Sequence, residues 1–181
     1  YKILEEGINQ LKRFGPGFSL DDLCAAINIS QKTFYSFYQS KNYFLQQLLL
    51  TLVNDWRLNL QNSTLVNKDI KNTIISILTY HIDELIEFNV NFLRNLRTKF
   101  PKESLIIDGY YNELTQELLS ILTEGKKNNQ VRKDYNLKAF LEKEKVFFEY
   151  LLTNYNILIV KDDYLKLLEL SLDSILIRRS A

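Results

Sequence analysis

The stretch from Phe18 to Leu45, FSLDDLCAAINISQKTFYSFYQSKNYFL, constrains the chain more than any other. Ser19 followed three residues on by Asp22 is a capping-box-like start: the hydroxyl accepts from an early backbone N–H and the acid suits the positive helix end. Leu20, Leu23, Cys24 and Ile27 recur at the spacing of one buried helix face, and Asn28 tolerates the left-handed backbone of a sharp exit. Ile29 can plug the corner. Ser30 then caps a second helix from Gln31 to Phe37, whose Gln31, Lys32, Thr33, Tyr35 and Ser36 face solvent while Phe34 and Phe37 turn inward. Two short helices joined by a turn of about three or four residues, the second polar on its outer side, form a helix-turn-helix, whose second helix enters the major groove of DNA.

At these residues the chain resembles the TetR (tetracycline-repressor-like) family of transcriptional regulators. Gly15, Phe18, Ser30, Thr33, Phe34, Tyr35, Phe37, Tyr38, Ser40 and Lys41 stand in the places of that family's N-terminal pattern. Three departures occur. Leu23-Cys24 replaces Ile-Ala, Ile27-Asn28-Ile29 replaces Ala-Gly-Val, and Lys32 stands where a small Gly is usual, adding a cation to the face that would read DNA. The resemblance implies an all-α fold of about nine helices, with a three-helix DNA-binding head at 1–47 and a helical effector-binding and dimerisation body at 48–181.

Bulk electrostatics lend this little support. With 181 residues and 46% hydrophobic content the chain can bury a real core, but a formal net charge of +1 is not the strong basicity that would itself point to nucleic acid. The chain begins at Tyr1 without an initiator Met, and the resemblance implies a short, often basic arm before the first helix, so further residues are expected upstream. The single cysteine, Cys24, excludes an intrachain disulfide framework and suits a reducing cytosol. No apolar run approaches the ~18 residues of a membrane span. The expected location is cytoplasmic, with no membrane contact.

In chain order, Ile3, Leu4, Ile8, Leu11 and Phe14 carry helical spacing, and Gly15-Pro16-Gly17 ends that first helix. Ser40 caps a long helix through Leu45, Leu48, Leu49, Leu52, Val53 and Trp56 to about Leu60. The polar stretch QNSTLVNKD, 61–69, reads as the region of the boundary between head and body. Helical stripes follow: Ile74, Ile77, Leu78, Ile82, Leu85 and Ile86; then Phe92, Leu93, Leu96 and Phe100 up to Pro101; then Leu105 to Leu122. The segment 126–134, KKNNQVRKD, reads as a solvated basic connection. Two helices close the chain, Leu137 to Tyr155 and Asp162 to Ile177, and both carry apolar residues over more than the ~100° arc one buried face needs.

Two wide faces call for two partners, the chain's own core and a second subunit across a two-fold axis, or else for a central place in a monomeric bundle. The resemblance favours the dimer, since the family pairs through its last long helices; Phe140, Phe148, Leu151, Leu152, Leu168, Leu172 and Ile175 are the expected interface. Two reading helices about 34 Å apart would span a palindromic operator of double-stranded DNA. Gln31, Lys32 and Ser36 are candidates for base edges, and Thr33, Tyr35 and Lys41 for phosphates. The resemblance also implies an effector cavity among the middle helices, where Tyr80, His81, Phe88, Phe92, Tyr110, Tyr111 and Leu114 mix apolar walls with polar tips; core packing accounts for the same residues. The effector, if one exists, is an unidentified small molecule.

Enzyme chemistry is poorly supplied. His81 is the only histidine, which removes intrachain two-His metal sites, and with Glu84 one turn on it reads as a polar surface pair. There is no Gly-rich phosphate loop and no G-x-S-x-G turn, so no cofactor is expected. The leading reading is a homodimeric, effector-released DNA-binding regulator, most often a repressor in the resembling family. The alternative is an interaction protein that kept a helix-turn-helix-like head but no longer binds DNA.

Overall fold

The structure, a computed structural model, describes residues 2–66, 69–154 and 157–177, and the side chains of 2–62, 69–151 and 161–177. Nine α-helices occupy the described residues: α1 Lys2–Phe14, α2 Leu20–Ala26, α3 Gln31–Phe37, α4 Lys41–Val66, α5 Ile70–Ile86, α6 Phe92–Lys99, α7 Pro101–Lys127, α8 Leu137–Asn154 and α9 Ile157–Ile175. By compactness they form two units, Tyr1–Arg57 with Leu85–Tyr110, and Leu58–Glu84 with Tyr111–Ala181. The compact unit that holds the head therefore runs past residue 47 and takes in α6. The polar segment at 61–66 is helical, the last turns of α4, so its composition marks no break in the backbone.

The first unit is built on aromatic packing around α4. Phe44 and Phe34 are both fully buried and meet edge to face at 5.1 Å; Phe18 and Tyr38 pack on Phe44 at 6.3 and 4.5 Å. Gly7 on α1 is what lets that helix approach, because a Cβ there would lie 2.5 Å from Phe44 Cζ and 2.7 Å from Leu48 Cδ2. Trp56, fully buried, packs on Tyr110 at 5.3 Å, and Phe88 stacks on Phe92 at 4.4 Å. Lys12 ties α1 to the segment after α5: it pairs with Glu87, and its carbonyl accepts from Asn89 N at 2.8 Å. Phe14, expected on the apolar face of α1, is 54% exposed with the Arg13 guanidinium 5.3 Å from its ring.

The second unit packs α5, the later turns of α7, α8 and α9. Gly125 permits its tightest approach: a Cβ would meet Ile70 Cδ1 at 2.3 Å and Val131 Cγ2 at 2.7 Å. The connection at 126–134 is more than a solvated loop, because Val131 is fully buried and forms an antiparallel bridge with Leu176, Arg132 N donating to Ile175 O and Ile177 N to Gln130 O. Single-residue pairing of this kind leaves no alternating pattern to read. Pro101 opens α7, since proline at a first helical position loses no hydrogen bond.

Candidate nucleic-acid interface and effector cavity

Local chemistry sets the geometry of the two short helices. Ser19 Oγ accepts from Asp22 N at 3.2 Å and Ser30 Oγ from Thr33 N at 3.0 Å, which fixes where α2 and α3 start. Asn28, at φ 57°, turns the chain between them, and Ile29 N returns to Cys24 O at 3.0 Å. Cys24 is 4% exposed, and burial, with Asp21 beside it, pushes its thiol up, so it stays a neutral core residue. Ser40 Oγ accepts from Tyr43 N at 3.0 Å at the start of α4.

From this frame α3 buries one side chain, Phe34, and exposes the rest of its surface. Gln31, Lys32, Thr33, Tyr35 and Ser36 are all exposed. Phe37, expected to turn inward, is 66% exposed. The inward place one turn after Phe34 belongs instead to the half-buried Tyr38, whose ring lies 5.3 Å from Phe34 and 4.5 Å from Phe44. Several polar tips are already engaged. Gln31 donates to Asp21 across the turn, the Thr33 and Ser30 hydroxyls lie 2.9 Å apart, and Ser36 Oγ donates to Thr33 O at 2.6 Å. Lys41 donates to the Phe18 carbonyl with its ammonium 4.7 Å over the Phe18 ring, and burial pushes its pKa down. Its first task is to pin the loop before α2 to α4.

No family model matches the chain. An uncharacterized HTH-type transcriptional regulator of Bacillus subtilis, YvaF, is 26% identical over 139 residues, 72% of this chain and 70% of the relative. Solved structures match nearly end to end. A TetR-family transcriptional regulator from Streptomyces coelicolor superposes with a TM-score of 0.78 at 11% identity, covering 96% of this chain and 94% of the other. This is a TetR-family fold. The transcriptional regulator FadR of Bacillus subtilis, crystallised with stearoyl-CoA, shares the TetR-family fold at a TM-score of 0.73 and 14% identity, over 92% of this chain and 96% of that one.

Within the second unit of the TetR-family fold lies a cavity with about 60 Å³ of space open to the centre of a water molecule, several times what one water requires. Ile74, Leu78 and His81 of α5, Tyr111, Leu114, Thr115, Leu118 and Leu122 of α7, Phe140, Leu141, Glu144, Lys145 and Phe148 of α8, and Tyr164 and Leu168 of α9 line it. Of the residues expected at an effector site, His81, Tyr111 and Leu114 are at this cavity. Tyr80, Phe88, Phe92 and Tyr110 are not. Tyr80 accepts from Asn59 Nδ2 at 2.8 Å, Tyr110 packs on Trp56, and Phe88 and Phe92 stack on each other, all as structural contacts. Of the α8 and α9 residues here, Phe140, Phe148 and Leu168 are ones the sequence suggested for a subunit interface, and Leu141, Glu144, Lys145 and Tyr164 are new to the site.

His81 does not lie at the surface. It is 1% exposed with its ring 5.2 Å from Tyr111, and burial lowers its pKa to about 3, so the imidazole is neutral. The sequence carried a signal for this: His81 lies on the same helical stripe as Ile74, Leu78 and Leu85. Glu144, 8% exposed, has Oε1 2.8 Å from Lys143 Nζ, an ion pair without hydrogen-bond alignment. Burial, then the Glu144 charge, push the Tyr164 phenol up, keeping it protonated.

The expected dimer residues face the wrong way for that role. Phe140, Leu151, Leu168, Leu172 and Ile175 are 8% exposed or less, and Phe148 lines the cavity; the Leu152 side chain lies outside the described residues. The wide apolar faces remain, but the outward halves are Val146 and Tyr150 on α8, 57% and 51% exposed, and Leu167 and Leu170 on α9, 49% and 66% exposed. Apolar width alone cannot say which half turns inward. Among the described residues no cluster could hold a metal ion, and no helix is long and apolar enough to cross a membrane.

Proposed function

We propose that this chain is a DNA-binding transcriptional regulator, a repressor, that acts as a homodimer on a palindromic operator and is released by a small, mostly apolar effector. The observation that carries the reading is α3: a capped helix that buries Phe34 alone, with Gln31, Lys32, Thr33, Tyr35 and Ser36 displayed to solvent. Lys32 and Ser36 point most directly away from the Phe34 anchor and are assigned to base edges, with Gln31 beside them; the Tyr35 and Thr33 hydroxyls and the remaining donors of Lys41 are assigned to phosphates. Relatives and neighbours described as transcriptional regulators support the regulator reading.

Val146, Tyr150, Leu167 and Leu170 are the proposed dimer face, replacing the residues the sequence suggested. The cavity is the proposed effector site: largely aliphatic and aromatic walls with His81, Tyr111, Thr115, Glu144, Lys145 and Tyr164 as its polar groups. FadR with stearoyl-CoA supports an acyl-type ligand as the first class to try. A gel-shift titration against genomic fragments at several salt concentrations tests the reading, since phosphate contacts impose a steep salt dependence. The second reading, a head that binds another macromolecule and no longer DNA, is favoured by the engagement of Lys12 with Glu87 and of Lys41 with Phe18; it predicts no retarded fragment at any salt.

A further inference from the structure

We propose that Phe37 reads the C5 methyl group of a thymine in the major groove, making a 5-methylpyrimidine a requirement of each operator half-site. This rests on the DNA-binding reading above. Phe37 is 66% exposed, the most exposed aromatic side chain among the described residues, and it is the last residue of α3, the helix of the proposed interface. α3 is seven residues long, about 10 Å at 1.5 Å per residue, so its whole length fits within a groove about 12 Å wide. On the helical wheel Phe37 lies one turn beyond Thr33 and about 60° from Phe34, on the flank away from Tyr35.

A benzyl ring left in water beside hydroxyl, amide and ammonium groups needs an apolar partner in the complex. Duplex DNA offers few. Phosphate oxygens are a poor match, because a ring placed on them strips their water and returns no hydrogen bond. The base edges of the major groove are donors and acceptors with one apolar exception, the thymine methyl, for which phenylalanine is a known type of partner. Folding does not explain the ring's position, since Tyr38 fills the inward site that Phe37 would otherwise take.

The test uses the full chain. Duplexes are selected from a random pool, and in the selected sequence each dT is replaced singly by dU, which removes the methyl and changes nothing else at the base edge. The expected result is one dT per half-site whose replacement weakens binding about fourfold, the worth of one buried methyl. At that position 5-methylcytosine is accepted better than cytosine. Phe37→Ala, whose side chain is exposed, keeps the thermal stability of the parent but binds dT and dU duplexes equally. An operator indifferent to every dT-to-dU change, as a contact with deoxyribose would give, or a Phe37→Ala protein that still discriminates, overturns the proposal alone. Failure to select any duplex overturns the DNA-binding reading beneath it and the proposal with it.

Discussion

Phe34 and Phe37 are three residues apart on one short helix, and removing each ring to Cβ has sharply different predicted costs. Phe34 is fully buried, with Tyr35, Tyr38 and Phe44 rings at 5.3, 5.3 and 5.1 Å. Emptying such a site costs about 3–5 kcal/mol, transfer of the ring and the residual cavity combined. At roughly 2–4 °C per kcal/mol for a chain of this size, Phe34→Ala is expected to melt about 10 °C lower. Phe37→Ala, by contrast, removes a ring that is 66% exposed and is expected within about 0.5 kcal/mol of the parent. Urea unfolding followed by far-UV circular dichroism reads both. Losses within 1 kcal/mol of each other, or a larger loss for Phe37→Ala, would refute the single-anchor description of α3.

Other consequences follow from the same packing. Gly7→Ala pushes a methyl into the Phe44 ring and Leu48, and is expected to cost about 1–3 kcal/mol by chemical denaturation, as overpacking does. His81 has a folded pKa of about 3 against about 6.5 unfolded, so the unfolded chain binds the proton first and stability falls as pH drops below 6.5. At about 1.4 kcal/mol per pH unit, the parent should lose about 2 kcal/mol more than His81→Leu between pH 7 and pH 5, measured as paired urea midpoints; equal losses would show that the imidazole is not buried. Leu170→Glu, at a position 66% exposed, should leave folding intact but shift sedimentation from dimer to monomer, whereas Leu168→Glu, at 1% exposed, should unfold the chain.

The head was legible residue by residue because its signals are local. Ser19, Ser30 and Ser40 cap, Asn28 turns, and each needs only its neighbours within a few positions. Phe37 was misjudged for a physical reason: helical spacing allowed two inward aromatics, but a seven-residue helix standing on one contact has room for one, and Tyr38 closes the site from just beyond the helix. The body was legible as helices but not as surfaces. α8 and α9 are apolar on both sides, so the periodicity of Phe140, Phe148, Leu168 and Leu172 fitted a subunit interface as well as a core. Only the packing of the second unit brings Phe140, Phe148 and Leu168 to the cavity and buries Leu172. His81 was hidden by residue type: a histidine on an apolar stripe reads as polar, while burial here keeps it neutral.

In the proposed complex a symmetric pair of subunits presents α3 twice to one duplex. Sedimentation of the chain with its selected operator measures this directly. The account predicts two chains, or a multiple of two, per duplex carrying inverted half-sites about one helical turn apart, and weaker binding as salt rises. A complex containing a single chain, or no complex on any selected duplex at low salt, would contradict it.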